Sequence, residues 1–165
     1  MAVAIVAAVL GFTVFLLQYQ PTSVAPDFAL PTVDASGLTG KQVSLSSMRG
    51  KVVLLEFMEP WCVHCKAMAP QLKTLYSALS PQGVAFLSIV GSGGGTTVND
   101  VSAFVETYGT DWPYVYDSSD SVFAAYRVTG TPTFFVIEKD GTISSTFAGE
   151  TSIEALTSAI SKAMG

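Results

Sequence analysis

The chain is poor in the residues that most often build metal sites and covalent staples. Among 165 residues there is one histidine, His64, and there are two cysteines, Cys62 and Cys65. One histidine excludes a multi-histidine metal centre. Two cysteines exclude a small fold stapled by several disulfides. Charge is scarce as well: 13% of residues are charged, where about 25% is usual. Eight basic residues face thirteen acidic ones, for a net charge of −5. Such a chain has no clustered basic face for nucleic acid. What it has instead is apolar mass, 49% hydrophobic residues, in a length that suits one domain.

That apolar mass begins at the N-terminus. Met1 to Pro26 contains no Lys, Arg, Asp or Glu, and Ala2 to Leu17 is broken only by Gly11 and Thr13. A bilayer-spanning helix needs about 20 residues, with a lower limit near about 17. Gln18 and Tyr19 at an interface bring the segment to that limit, and tyrosine suits the headgroup level. Three readings compete: a membrane anchor, which is favoured, a cleaved signal peptide, and a buried core helix. The signal peptide is disfavoured because no positive side chain opens the segment and the best cleavage site, Ser23-Val24-Ala25, is followed by Pro26. Either of the first two puts the rest of the chain outside the cytoplasm. The expected division is an anchor or signal-like helix over residues 1–20 and one folded domain over residues 21–165.

After a linker from Pro21 to Pro26, Phe28 to Ser47 reads as short strands broken at Asp34-Ala35-Ser36-Gly37 and at Thr39-Gly40. Lys51 to Met58 is an apolar strand interrupted only by Glu56, the pattern of a strand covered on both faces. Met68, Leu72, Leu75 and Leu79 form a helical stripe after Cys62, with Pro70 expected to kink it. Val84 to Val90 is a second buried strand, followed by a flexible Gly91-Ser92-Gly93-Gly94-Gly95 loop. Thr97 and Asp100 start the next helix in a capping box, and Gly109 ends it. A short strand over Tyr114 to Tyr116, a short helix over Ser119 to Arg127 and a strand over Thr133 to Ile137 follow. Asp140-Gly141 turns the chain into a strand over Thr142 to Phe147. Thr151 and Glu154 cap a last helix carrying Ile153, Leu156 and Ile160. Strands alternating with helices imply an α/β fold, a central mixed sheet flanked by helices, with an antiparallel edge.

The chemistry centres on Trp61-Cys62-Val63-His64-Cys65-Lys66. A strand ends at Met58, Pro60 breaks the chain and a helix follows, so Cys62 is expected at a helix N-terminus. The free N–H groups there carry about half a positive charge. They stabilise a thiolate, which is the nucleophilic form of cysteine. Cys65, one turn on, is placed to attack a mixed disulfide on Cys62. A purely structural bridge over so short a loop would contribute only about 2 kcal/mol. Structural zinc wants four ligands, and Cys62, Cys65 and His64 supply three. A redox dithiol is therefore favoured, with no metal and no bound cofactor.

Trp-Cys-x-x-Cys-Lys with Pro70 five residues after Cys65 resembles the active-site segment of thioredoxins, and Gly130-Thr131-Pro132-Thr133-Phe134 resembles their cis-proline loop. Asp27-Phe28-Ala29-Leu30 and the run from Leu45 to Leu54 resemble the membrane-tethered thiol–disulfide oxidoreductases of the TlpA and ResA type, relatives of the peroxiredoxins. The resemblance covers residues 26–165. It implies a thioredoxin fold with an N-terminal strand extension and an inserted strand–helix unit. It implies that Cys62 attacks, Cys65 resolves and Glu56, as a buried acid, shuttles the proton of Cys65. Trp61, Thr131 and a cis Pro132 would shape the substrate groove. The implied partners are protein disulfides or dithiols and a second redox protein. Activity as a reductant, as in cytochrome c maturation, is the favoured direction.

Val63 and His64 depart from the Gly-Pro of thioredoxin. A histidine before the second cysteine resembles the oxidase DsbA, and an imidazole that stabilised the Cys62 thiolate would make the pair more oxidising. The alternative is a solvent-exposed helix residue of small effect. Glu59 and Lys66 read as solvated charges flanking the motif. A peroxiredoxin would need Thr or Ser where Glu59 stands. A copper-delivery protein of this fold would need three residues between its cysteines and a second histidine. The glycine loop lacks the third glycine of a dinucleotide fingerprint and the Lys-Ser/Thr of a P-loop.

Overall fold

The computed structural model describes residues 23–165. The anchor expected over residues 1–20 lies outside them. Among the described residues no helix is long and apolar enough to cross a membrane.

Seven strands form one mixed sheet in the order β2-β1-β5-β4-β3-β6-β7. They are β1 (Ala29–Asp34), β2 (Gly37–Ser44), β3 (Val53–Met58), β4 (Ala85–Val90), β5 (Tyr114–Tyr116), β6 (Thr133–Ile137) and β7 (Ile143–Ala148). Among the described residues four α-helices accompany them: α1 (Val63–Leu79), α2 (Val98–Tyr108), α3 (Ser121–Ala125) and α4 (Ile153–Met164). The centre, β3 against β4 and β4 against β5, is parallel; β6 and β7 continue it antiparallel. The β1–β2 hairpin adds the N-terminal extension on the other side. This is the expected α/β architecture of a thioredoxin fold.

β3 is buried at every position because both of its faces are covered. Val53, Leu55 and Phe57 pack with Leu87, Ile89, Val122, Tyr126 and Phe135 on one side. Leu54 and Met58 pack with Cys65, Met68, Leu72 and Leu156 on the other. Side chains alternate along a strand, so Glu56 points with Leu54 and Met58 toward the side that carries α1. Each large side chain so buried contributes about 1.5–3 kcal/mol.

Several local expectations change. Thr39-Gly40 does not break the chain: β2 runs through it, and the irregularity is a register shift opposite Pro31 to Val33. The irregularity absorbs two extra residues on β2 without ending the pairing. Pro70 lies inside α1 as expected, and the helix runs on through it for 17 residues with Met68, Leu72, Leu75 and Leu79 buried. α3 is shorter than expected, and the cap of α4 is Ser152, whose hydroxyl accepts from Ala155 N, instead of Thr151. Thr97 and Asp100 form the expected capping box on α2, which ends at Gly109 in the left-handed conformation.

The strand ends place the site. Phe57 pairs with Thr133, so the end of β3, where the cysteine segment begins, lies beside the start of β6 and the Thr131–Pro132 turn.

Candidate active site

Cys62 is the N-cap of α1, with its sulfur accepting the backbone N–H of Cys65 at 3.3 Å. A sulfur in that position receives the unpaired donors and the positive end of the helix dipole, both of which favour negative charge on it. The same sulfur lies 3.3 Å from the carbonyl oxygen of Thr131, to which its thiol can donate. The Thr131–Pro132 peptide is cis, Pro132 is buried, and its carbonyl accepts from Gly149 N at 2.8 Å. Two segments far apart in the chain thus meet at one sulfur, the start of α1 and the turn before β6, and the turn after β7 is bonded to the second of them.

The cysteines are unbridged and differ in setting. Cys65 is fully buried. Burial pushes its thiol well above the ordinary range, and the hydrogen bond with Cys62 and the nearby Glu56 charge push the same way. Cys65 therefore needs a base before it can act as a nucleophile. Glu56 is the buried acid on its side of the sheet. Burial raises the Glu56 carboxyl from 4.5 to about 7, against the opposing hydrogen bond from Ser88. The Ser88 hydroxyl donates to Glu56 Oε2 at 2.6 Å and receives the indole N–H of Trp112 at 2.8 Å. An acid so poised can exist in either protonation state near neutrality.

The tuning residues face outward. Val63 and Trp61 are exposed. His64 is turned to Glu150, with Nδ1 2.5 Å from Oε1 and both side chains more than half exposed. Glu150 follows Gly149, so this pair spans from the cysteine segment to the turn that holds Pro132. Lys66 is exposed, as expected.

Glu59 is not. Its place in the sequence suggests a solvated charge, yet it is 4% exposed. Its carboxylate accepts from Thr96 Oγ1 at 2.7 Å and from Gly93 N at 3.2 Å. Burial raises its carboxyl, those two bonds lower it, and the Asp120 charge adds to the rise. The partners lie 34 and 37 residues away, so no local pattern announces them. The glycine loop differs from expectation for the same reason: it is held at several points. Asp120 accepts from Ser92 N and Oγ, both at 2.7 Å, and Gly93 to Gly95 form a single tight turn. Beside it opens a cleft of about 760 Å³ whose lining includes Trp61, Lys66, Gly95, Thr96, Phe104 and Tyr108.

A fully buried cysteine one turn behind a helix-capping one, whose sulfur lies against the turn before β6, is the arrangement of a thioredoxin-fold thiol–disulfide oxidoreductase. The chain belongs to the AhpC/TSA family, which matches residues 21–146, and within it aligns with the ResA oxidoreductases. The thiol-disulfide oxidoreductase ResA of Geobacillus thermodenitrificans is 34% identical over 143 residues, covering 86% of this chain and 80% of that one. Among solved structures, a Chlorobium tepidum protein assigned as the thiol:disulfide interchange protein DsbE superposes with a TM-score of 0.78 at 25% identity, covering 90% of this chain and all of that one. A secreted Mycobacterium tuberculosis disulfide oxidoreductase superposes with a TM-score of 0.69 at 26% identity, covering 82% and 95%.

Proposed function

We propose that this chain is an extracytoplasmic reductant of protein disulfides, tethered by its N-terminal segment. In the reductive direction the Cys62 thiolate attacks a substrate disulfide. A Cys62–substrate bond forms and the first substrate thiolate leaves. Glu56 takes the proton of Cys65, and the Cys65 thiolate attacks Cys62 Sγ and expels the second substrate thiolate. Two electrons pass from the dithiol to the substrate, and the chain ends with a Cys62–Cys65 disulfide. A second redox protein must then return it to the dithiol. Thr131, Pro132 and Trp61 would line the groove that receives the substrate polypeptide, as the resemblance implies.

The observation that carries the direction is the pairing of His64 with Glu150. An oxidising pair gains its potential by stabilising the reduced form as thiolate. Here the imidazole that would supply such stabilisation, His64, faces the carboxylate of Glu150. Any positive charge on that imidazole is thus met by a negative one, which weakens the case for a DsbA-like oxidase. The apolar, uncharged stretch before Asp27 supports an extracytoplasmic place, as does the similarity to a secreted oxidoreductase.

The test is the equilibrium potential of Cys62–Cys65 against dithiothreitol and glutathione buffers. A reductant is expected at or below about −250 mV, near the thioredoxin value of about −270 mV. A potential above about −150 mV, toward that of DsbA, would overturn the direction and make His64 the residue to replace next.

A further inference from the structure

We propose that Glu59 is a positioning residue of this site: its carboxylate clamps the Ser92–Thr96 loop to the turn before Cys62, and the loop in turn fixes Trp61 as the wall of the substrate groove. The inference rests on the dithiol-exchange reading and extends it to how a protein substrate is held.

One residue reaches both partners. Through its main chain Glu59 belongs to the cysteine turn: its carbonyl accepts from Cys62 N at 3.0 Å. Through its side chain it holds Gly93 N and the Thr96 hydroxyl. Gly93 then presents its carbonyl to the indole N–H of Trp61 at 3.0 Å. Tyr116 steadies the far end of the loop by donating to the Thr96 carbonyl at 2.7 Å.

The space around the loop is fitted to this arrangement. A Cβ on Gly91 would lie 2.6 Å from Asp120 Oδ1 and 2.8 Å from Glu59 Oε1. A Cβ on Gly94, at φ +64°, would lie 3.0 Å from Trp61 Nε1. Two glycines therefore let the loop approach the carboxylates and the indole, and one of them also supplies a left-handed turn. A buried carboxylate is costly unless hydrogen-bonded. Here its bonds all go to the loop. Trp61 is 58% exposed, and its indole N–H is bonded to this loop. Glu59 touches no reacting atom, and its effect reaches a substrate only through Trp61.

The experiment compares Glu59→Ala, Glu59→Gln and Thr96→Val in the whole chain, kept in detergent micelles. Each is read by exchange with dithionitrobenzoate, by reduction of insulin, and by the ¹H–¹⁵N indole signals of the two tryptophans, with Trp61→Phe identifying the Trp61 signal. Glu59→Ala is expected to raise KM for insulin at least fivefold with kcat within twofold, and to move the Trp61 signal while leaving that of Trp112. Its rate with the small disulfide stays within twofold. Glu59→Gln keeps an acceptor for Gly93 and restores KM to within twofold. Thr96→Val removes one arm of the clamp, is expected to raise KM two- to threefold, and decides the matter if Glu59→Ala does not fold. An unmoved Trp61 signal, an unchanged KM for insulin, or a glutamine variant as impaired as the alanine one would overturn the clamp. A wild-type chain inert toward both disulfides would instead overturn the dithiol-exchange reading, and the clamp with it.

Discussion

Glu56 carries two consequences of one perturbed proton. Its carboxyl sits at about 7 in the folded chain against an ordinary 4.5. Between those values the folded state keeps a proton that the unfolded chain has lost. The folded state binds more protons there, so stability falls as pH rises through that window and levels off above about 7. A rise of that size corresponds to about 3 kcal/mol. Glu56→Gln, which cannot ionise, is expected to remove this slope in urea titrations at pH 5, 6, 7 and 8. The kinetic consequence has the opposite sign. Only ionised Glu56 can accept the Cys65 proton, so release of the mixed disulfide should quicken as pH rises through about 7. In Glu56→Gln that rise should vanish and the release step should slow by about 10²-fold, as read by stopped-flow. An unchanged release profile beside a flattened stability curve would make Glu56 a buried acid with no part in proton transfer.

At the scale of elements, two helices solve the same N-terminal problem in different settings. α2 is capped by Thr97 within the exposed Thr97–Asp100 box. α3 has no cap from its own N-cap residue, Asp120, which sits at φ 54°. Its free donors go instead to buried Asp117, whose carboxylate accepts from Ser121 N at 3.2 Å, Val122 N at 2.8 Å and Phe123 N at 3.1 Å. Thr97→Ala is expected to cost about 1 kcal/mol. Asp117→Ala strands three donors with little access to water and is expected to cost about 3 kcal/mol. Urea midpoints at unchanged m-value measure both, and equal costs would show that burial does not separate them. The contrast also marks what was legible in the sequence. The capping box was, because its partners are three residues apart. So were β3, β4 and β6, as nearly continuous apolar runs, and the two cysteines, as a short spacing after a strand. Asp117, Glu59 and Glu150 were not. Glu59 meets Gly93 34 residues on, and His64 meets Glu150 86 residues on. Such pairings are created by the sheet order, and a polar side chain buried by them looks in the sequence like any solvated charge.

At the scale of the whole molecule, the sheet has two ends with separate duties. β3 runs from Val53 to Met58 and delivers the chain to Cys62, while Val53 pairs with Ile137 at the other end. The β6–β7 hairpin turns at that far end and takes up the start of the described chain. Ala25 N donates to Gly141 O and Ile143 N donates to Ser23 O, both at 2.9 Å. Ala25 is buried, and the Tyr126 hydroxyl donates to the Pro26 carbonyl at 2.8 Å. A tether preceding Ser23 would thus leave from the pole opposite the cysteines, with the reactive sulfur facing away from the attachment. Stability and redox chemistry should then separate by pole. A chain begun at Asp27 loses three hydrogen bonds and the Ala25 burial, an expected cost of about 3 kcal/mol. A chain begun at Pro21 loses none of these. The Cys62–Cys65 potential should be the same in both to within about 5 mV, since a tenfold change in equilibrium is about 30 mV for two electrons. Urea titration and a glutathione-buffer titration on the two fragments make the comparison. A potential that moved with the truncation would mean that the pairing of Ser23–Ala25 is felt at Cys62 through β6, and that the two ends of the sheet are coupled.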